Sequence, residues 1–130
     1  MDGYERLAEL LKALSHPVRL QILEVLDQEG EACVCHLESR LGQRQAYISQ
    51  QLSKLREVGL VSDRRDGLNV FYALTTDRLK TFIQDAKELL QAVGSGTDAV
   101  LEFNSIQQIE PEQCNCPSCE KRLVLAGTEA

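Results

Sequence analysis

Apolar residues recur along the first two thirds of the chain at the spacing of helix faces. A first helix is predicted over residues 3 to 14, where an i, i+3, i+4, i+7 pattern is formed by Leu7, Leu10, Leu11 and Leu14. Ser15 is expected to cap a second helix, with Pro17 in the first turn, where its missing N–H costs nothing. The buried face of this helix is predicted to hold Val18, Ile22, Val25 and Leu26.

Two further helices are expected around a glycine. Helix three should run from about Cys33 to Leu41 and end at Gly42. The next helix should run from about Arg44 to Val58, and its apolar face consists of Ile48, Leu52 and Leu55. Its opposite face is polar and presents Ala46, Tyr47, Ser49, Gln50, Ser53 and Lys54. Glutamine, serine and lysine can donate to base edges and phosphates, so this helix is a candidate for recognising DNA.

A β-hairpin is predicted directly after that helix. Residues 60 to 63 and 68 to 74 are expected to form two strands around the turn Arg64-Arg65-Asp66-Gly67, with Gly67 at positive φ. Two adjacent arginines at a hairpin tip suit a wing that holds the DNA backbone or minor groove, and a solvated charged turn is the alternative. Helix, short turn, exposed polar helix and hairpin, in this order, predict a winged helix-turn-helix that is mainly α with a small β-hairpin wing.

The last strong helix is expected over residues 76 to 93 and should end at Gly94. Its long apolar stripe consists of Leu79, Phe82, Ile83, Ala86, Leu90 and Val93. One copy of the chain needs less apolar surface than this, so the helix is expected to hold a homodimer together. Residues 1–94 are therefore predicted to be the DNA-binding and dimerisation domain. Gly94-Ser95-Gly96 should be a flexible break before a C-terminal extension, residues 95–130, with a short extra helix between 97 and 110 and a cysteine-rich tail.

Composition agrees with a small DNA-binding protein only when charge is examined locally. The chain has 130 residues, 43% of them hydrophobic, which is enough for one domain. No apolar run approaches the roughly 18 residues of a membrane span, and no signal peptide is visible, so a cytoplasmic protein is expected. The net charge of −6 argues against nucleic-acid binding overall. Residues 40 to 66, however, hold six basic and three acidic side chains, a local balance of +3 against −9 elsewhere.

These patterns define a candidate interface with double-stranded operator DNA. The contacts in the major groove are expected from Gln45, Tyr47, Ser49, Gln50 and Lys54, with Arg44 near a phosphate. Arg64 and Arg65 should add contacts that do not depend on base sequence.

The five cysteines indicate metal binding or redox chemistry, because a chain that is not secreted rarely forms a disulfide framework. Cys33 and Cys35 stand immediately before the recognition helix, and on an ideal helix their side chains point about 200° apart. Chelation by both therefore requires that the start of helix three be strand-like or unwind. The alternative is that Cys33 and Cys35 bind no ion and are simply two small buried apolar side chains. The tail triplet Cys114, Cys116 and Cys119 could chelate a thiophilic ion, form a redox pair or have no such role.

Two motifs resemble those of one family. Glu31-Ala32-Cys33-Val34-Cys35-His36-Leu37 resembles the E-L-C-V-C-D-L motif of the ArsR/SmtB family of metal-sensing repressors, which includes arsenite-responsive and cadmium- or lead-responsive members. The segment from Ser49 to Val61 is similar to that family's S-x-H-L-x-x-L-R-x-x-G-L-V signature. The resemblance extends to about residue 93 and implies that the first helix lies beside the last in the dimer.

The chain also departs from this family. Gln51 stands where histidine is common, and Gln43-Arg44 replaces the usual serine or threonine cap of the recognition helix. Some members bind zinc on the last helix through aspartate and histidines. Asp77 is present here, but no histidine follows it, so that site is not expected.

The function expected from residues and resemblance together is a homodimeric repressor that leaves DNA when a thiophilic ion binds. The ligands would be Cys33 and Cys35 with one or more of Cys114, Cys116 and Cys119. Soft thiolates favour As(III) or Sb(III), and otherwise Cd(II), Pb(II) or Zn(II). The alternative is a redox- or persulfide-responsive repressor that uses the same cysteines. An enzyme is not expected, because no set of nucleophile, base and orienting group is apparent. His16 could be a metal ligand, although a surface or capping role is favoured.

Overall fold

The computed structural model describes residues 2–94, 101–103 and 106 of the chain. Its helices and strands follow one another as α1 (Gly3–Leu14), α2 (Pro17–Glu29), β1 (Ala32–Cys33), α3 (Val34–Leu41), α4 (Gln45–Glu57), β2 (Val61–Asp66), β3 (Asn69–Leu74) and α5 (Arg78–Val93). The five helices predicted between residues 3 and 93 and the hairpin are present, with ends that shift by one or two residues in most cases. Among these residues, no helix is long and apolar enough to cross a membrane.

The junction between α1 and α2 differs from the prediction. Ser15 ends α1, and its hydroxyl donates to the carbonyl of Lys12 instead of capping α2. His16 occupies the N-cap position of α2 without a capping hydrogen bond from its side chain, so the predicted capping by Ser15 is wrong. Pro17 is the first residue of α2, as expected, where its fixed φ suits the helix.

The core lies where α2, α3 and α4 meet. Its large, fully buried apolar side chains are Ile22, Leu23, Val25, Leu26, Leu37, Ile48, Leu52 and Leu55. The predicted inner face of α4 is therefore confirmed. Each such side chain stabilises the fold by about 1.5–3 kcal/mol relative to an exposed position. This core fixes α4 against the rest of the molecule and leaves its other side facing outward.

The sheet contains a strand that the sequence did not reveal. Its order is β1-β3-β2, and all neighbours are antiparallel. The short strand β1 pairs Cys33 with Phe71, so helix three begins at Val34 and not at the predicted Cys33. Cys33 is instead the extended N-cap residue of α3.

The hairpin turn is also shorter than predicted. The ladder between β2 and β3 continues to the pair Asp66 and Asn69, which leaves a two-residue loop at 67 and 68. Gly67 has a φ of 63°, as expected, which only glycine adopts freely. The predicted turn at residues 64 to 67 is therefore wrong, and Arg64 and Arg65 lie within β2.

The outer helices expose apolar side chains of large size. On α1 these are Tyr4, Leu7 and Leu11, and on α5 they are Phe82, Leu89, Leu90 and Val93. On each helix these side chains recur at the spacing of one helix face, which is typical of an interaction face. The short extra helix predicted between residues 97 and 110 falls mostly outside the described residues, and residues 101–103 are neither helix nor strand.

Candidate nucleic-acid interface and thiol site

The outward face of α4 presents a continuous polar surface. Arg44 is the extended N-cap residue and makes no capping hydrogen bond with its side chain. The exposed residues on and next to this helix include Arg44, Gln45, Ala46, Gln50, Ser53 and Lys54. Four of the six predicted contacts on this helix and its cap (Arg44, Gln45, Gln50 and Lys54) are thus accessible to a DNA groove.

Tyr47 and Ser49 are less open than the sequence suggested. Both are half-buried, and Tyr47 packs against the core. The Tyr47 hydroxyl shares a hydrogen bond with Nε2 of His16 over 3.1 Å. His16 was predicted to be a metal ligand or, preferably, a surface or capping residue. The structure shows a further role, because its ring contacts the recognition helix through Tyr47.

Gln51 turns inward from α4. It is 7% exposed, and its Oε1 accepts a hydrogen bond from Nε of Arg19 over 2.8 Å. The departure from the family's histidine thus falls on a position that faces α2. Sequence reasoning missed Arg19, because a polar residue on an amphipathic helix is ordinarily assigned to the surface.

The positive patch is weaker than the charge count implied. Arg40 is 2% exposed and donates to Glu29 over 3.0 Å and to Gln28 over 3.1 Å, so it belongs to the interior. Arg56 pairs with Asp63 over 3.2 Å. Carboxylates therefore compensate part of the local charge, and specific exposed side chains must supply the contacts with phosphates.

Arg64 is engaged within the wing. Its Nη2 lies 2.5 Å from Oε1 of Glu31, its Nε lies 3.2 Å from Oε2, and its guanidinium stands 4.7 Å from the centre of the Phe71 ring. Hydrogen bonding and charge from Glu31, followed by Asp66, raise the pKa of Arg64 above its ordinary value, so it remains a cation. Its contact with DNA stays a prediction.

Arg65 points away from this cluster. It is exposed and stands opposite Val70, whereas Arg64 stands opposite Phe71. Successive side chains on a strand face opposite sides of the sheet. Within the described part of the chain, the Arg65 side chain makes no hydrogen bond or ion pair, which leaves it available to an external phosphate.

The two thiols before α4 lie close together. The sulfur atoms of Cys33 and Cys35 are 2.7 Å apart, with Cys33 buried and Cys35 exposed. Because Cys33 ends β1 and Cys35 belongs to the first turn of α3, the 200° separation of an ideal helix does not apply. The strand-like start that chelation required is present, so no unwinding is needed.

The two sulfur atoms lie closer together than two ligands of one metal ion would. Tetrahedral thiolate ligands at about 2.3 Å from a zinc ion stand roughly 3.8 Å from one another, so the sulfurs would have to separate by about 1 Å. Exposed Cys35 can supply that movement by rotating its side chain. Within the described residues, no group of three or more histidine, cysteine, aspartate or glutamate side chains is arranged to hold a metal ion. The predicted ligands Cys114, Cys116 and Cys119 lie outside those residues.

The thiol pair is connected to the wing through the sheet. Cys33 on β1, Phe71 on β3 and Arg64 on β2 are directly opposed partners, so they form one row on one face. Glu31, two residues before Cys33, forms an ion pair with Arg64 at the other end of this row. A displacement of Cys33 would therefore move both the wing and α3. The helix α3 in turn packs directly on α4.

Comparison with known proteins finds regulators of transcription. The family model described as bacterial regulatory protein, arsR family, matches residues 16–63, from the start of α2 into β2. The uncharacterized HTH-type transcriptional regulator MJ1325 of Methanocaldococcus jannaschii is 39% identical over 89 residues, which cover 68% of this chain and 100% of the relative.

Two solved structures share the fold. The transcriptional repressor BigR from Xylella fastidiosa has a TM-score of 0.55 and 38% identity, and the match covers 72% of this chain and 92% of that one. The homodimeric winged helix-turn-helix DNA-binding domain of Mb0332 from Mycobacterium bovis, a possible ArsR-family regulator, has a TM-score of 0.61 and 32% identity. That match covers 72% of this chain and 90% of the other. The predicted winged helix-turn-helix is thereby confirmed.

Proposed function

The chain belongs to the ArsR family of bacterial regulatory proteins, and we propose that it is a repressor that releases operator DNA when a thiophilic ion binds its cysteines. The assignment as a DNA-binding transcriptional repressor follows from the relatives of the chain. BigR is a transcriptional repressor, and the Mb0332 domain is a homodimeric DNA-binding module. The chain is accordingly a transcriptional regulator and not an enzyme. The apolar outer faces of α1 and α5 support a homodimer.

The proximity of the two thiols supports a sensory role for this site. Cys33 and Cys35 have their sulfur atoms 2.7 Å apart at the point where β1 becomes α3. An ion with two thiolate ligands needs both sulfur atoms on the same side of the chain, and the passage from β1 into α3 places them there. The exposed side of Cys35 provides a route of entry.

The donor atoms of the five cysteines support a class of ion. Thiolates without a cluster of histidines or carboxylates favour soft ions. We propose As(III) or Sb(III) as three-coordinate centres, with Cd(II), Pb(II) or Zn(II) as the other candidates. The third thiolate would come from Cys114, Cys116 or Cys119, the remaining cysteines of the chain.

The short distance between the sulfur atoms of Cys33 and Cys35 also supports the redox alternative. Two thiols and one molecule of peroxide yield a disulfide and two molecules of water, and sulfur atoms that already lie 2.7 Å apart need little movement to react. A redox-responsive repressor would use this reaction in place of metal binding. A persulfide-responsive repressor would instead accept a sulfur atom on one thiolate from a small-molecule persulfide, which leaves as a thiolate.

One titration distinguishes these effectors. A DNA duplex is first selected from a random library by the wild-type protein, and its binding is then followed by fluorescence anisotropy under As(III), Cd(II), Zn(II) or peroxide. A coupling of about 1–3 kcal/mol predicts a loss of DNA affinity between roughly 5- and 150-fold. As(III) or Cd(II) should act at lower concentration than Zn(II), and thiolate absorption should report the displacement of zinc.

Cys35→Ser provides the matched variant. It should keep DNA binding and lose the response, whereas Ser39→Ala, one turn later on α3, should keep both. Release by peroxide alone would favour the redox alternative. Release that survives Cys35→Ser would exclude this thiol pair as the sensor.

A further inference from the structure

Two polar contacts connect the recognition helix α4 to the start of α2. His16 shares a hydrogen bond with Tyr47 over 3.1 Å, and Arg19 donates through Nε to Gln51 over 2.8 Å. His16 and Arg19 are three residues apart, and Tyr47 and Gln51 are four apart, so each pair projects from one face of its helix. Tyr47 is itself a candidate contact in the major groove, whereas neither Arg19 nor Gln51 is a candidate for reading DNA.

Arg19 also contacts the end of α1. Its Nη1 donates to the carbonyl of Ala13 over 3.1 Å, and Ala13 lies in the last turn of α1, where carbonyl groups have no partner within the helix. One guanidinium therefore bridges α1 and α4. Ala13 and Gln51 are each 7% exposed, and both hydrogen bonds are partly buried. Partial burial makes a hydrogen bond from a charged donor stronger than the same bond in open water.

Hydrogen bonds supply a directional restraint that the core beneath α4 does not. Burial of Ile48, Leu52 and Leu55 holds the helix in place, but the hydrophobic effect has no preferred direction. A hydrogen bond weakens steeply as its angle departs from linear. The bond from Arg19 to Gln51 therefore restrains the rotation of α4 about its axis, which decides where Gln50 and Lys54 point.

We propose that Arg19 is a positioning residue that fixes α4 relative to α1 and thereby sets the half-site spacing accepted by the dimer. This inference rests on the proposed function, in which two copies bind one operator. The recognition helices of such a dimer read half-sites about 34–36 Å apart. Leu7 and Leu11 place α1 at the proposed dimer interface, so an error in the angle between α1 and α4 would be doubled across the two-fold axis.

The test compares duplexes that differ only in spacing. The duplex selected by the wild-type protein is prepared with its own spacer, with one base pair added, with one removed, and as a single half-site. Arg19→Met keeps the length of the side chain without its donors, and Gln51→Leu removes the acceptor. Arg78→Met, at the exposed start of α5, is the control.

In Arg19→Met and Gln51→Leu, the preference for the native spacer should fall by about tenfold, while affinity for the single half-site changes by less than about threefold. Gln51→Glu, which keeps an acceptor, should retain the preference. The double variant should lose no more than either single variant, because both remove the same contact. The control should match the wild type.

The proposal is overturned if Arg19→Met and Gln51→Leu keep the wild-type preference for spacing. It is also overturned if the variants lose affinity for the single half-site as severely as for the duplex with the native spacer, because this would indicate general damage to the fold. A wild-type protein that selects no duplex would instead refute DNA binding itself, and the positioning role with it. The two failures are thus distinguishable.

Discussion

Adjacent arginines on β2 show how strand geometry separates residues that are neighbours in sequence. Arg64 faces the row formed by Cys33 and Phe71 and is held by Glu31, whereas Arg65 faces the other side of the sheet. A guanidinium that already binds a carboxylate through two nitrogens reaches a phosphate only with its remaining donors or at the cost of that bond. Arg65 carries no such cost, and it is the stronger candidate for holding the DNA backbone.

Replacing Arg65 by alanine should therefore flatten the salt dependence of DNA binding. The slope of log K against log salt concentration should change by about 0.9 for each phosphate that the protein no longer neutralises, or about 1.8 for a dimer. Arg64→Ala should leave this slope much closer to that of the wild type. Anisotropy titrations between about 50 and 200 mM salt measure both slopes. Equal changes in the two variants would show that Arg64 also binds the backbone.

Helices were more predictable than the sheet because their signal extends over more residues. The inner face of α4, with Ile48, Leu52 and Leu55, repeats often enough to be recognised. The strand β1 has two residues, and no periodicity can be read from so few. Its existence depends on pairing with β3, a contact between residues far apart in the sequence.

The same limit applies to polar residues of the site. Gln51 has the composition of a surface position, and its burial becomes understandable only with Arg19 beside it. The sequence predicted that Cys33 and Cys35 come close together only if α3 has a strand-like start or unwinds there. Tertiary pairing with β3 supplies that condition.

The three-stranded sheet should carry the signal from the thiols to the wing. Glu31→Gln and Arg64→Met each break the ion pair that spans the row of Cys33 and Phe71. We expect both variants to bind As(III) and DNA separately, while the loss of DNA affinity caused by As(III) falls to about threefold or less, below the usual coupling range. Anisotropy at saturating As(III) measures this, and thiolate absorption confirms that the ion is bound.

Exchange of the two charges is the control for this pathway. The double variant Glu31→Arg with Arg64→Glu restores an ion pair of opposite orientation and should recover part of the response. Coupling that remains unchanged in Glu31→Gln and Arg64→Met would show that the signal travels through α3 and α4 alone, which also pack on each other.

At the scale of the whole molecule, two features extend beyond the DNA-binding core. The apolar faces of α1 and α5 favour a second copy of the chain. Cys114, Cys116 and Cys119 belong to the C-terminal extension and complete the chain's five cysteines. Since Cys33 and Cys35 supply two thiolates and As(III) takes three, the effector should join this extension to the start of α3 within one copy or across the dimer.

Truncation after Gln113 tests this arrangement. The truncated protein should bind the selected duplex with unchanged affinity, because α1 to α5 are intact. As(III) should release it only at a concentration at least about tenfold higher, since all three tail cysteines, and with them the third thiolate ligand, are removed. A full-length variant with serine at Cys114, Cys116 and Cys119 should behave in the same way, and it separates the removal of thiols from the removal of chain. The concentration of As(III) at half-release, read by anisotropy, is the measurement. If both variants respond as the wild type does, sensing is confined to Cys33 and Cys35, and the third ligand of As(III) must be a small molecule such as an added thiol.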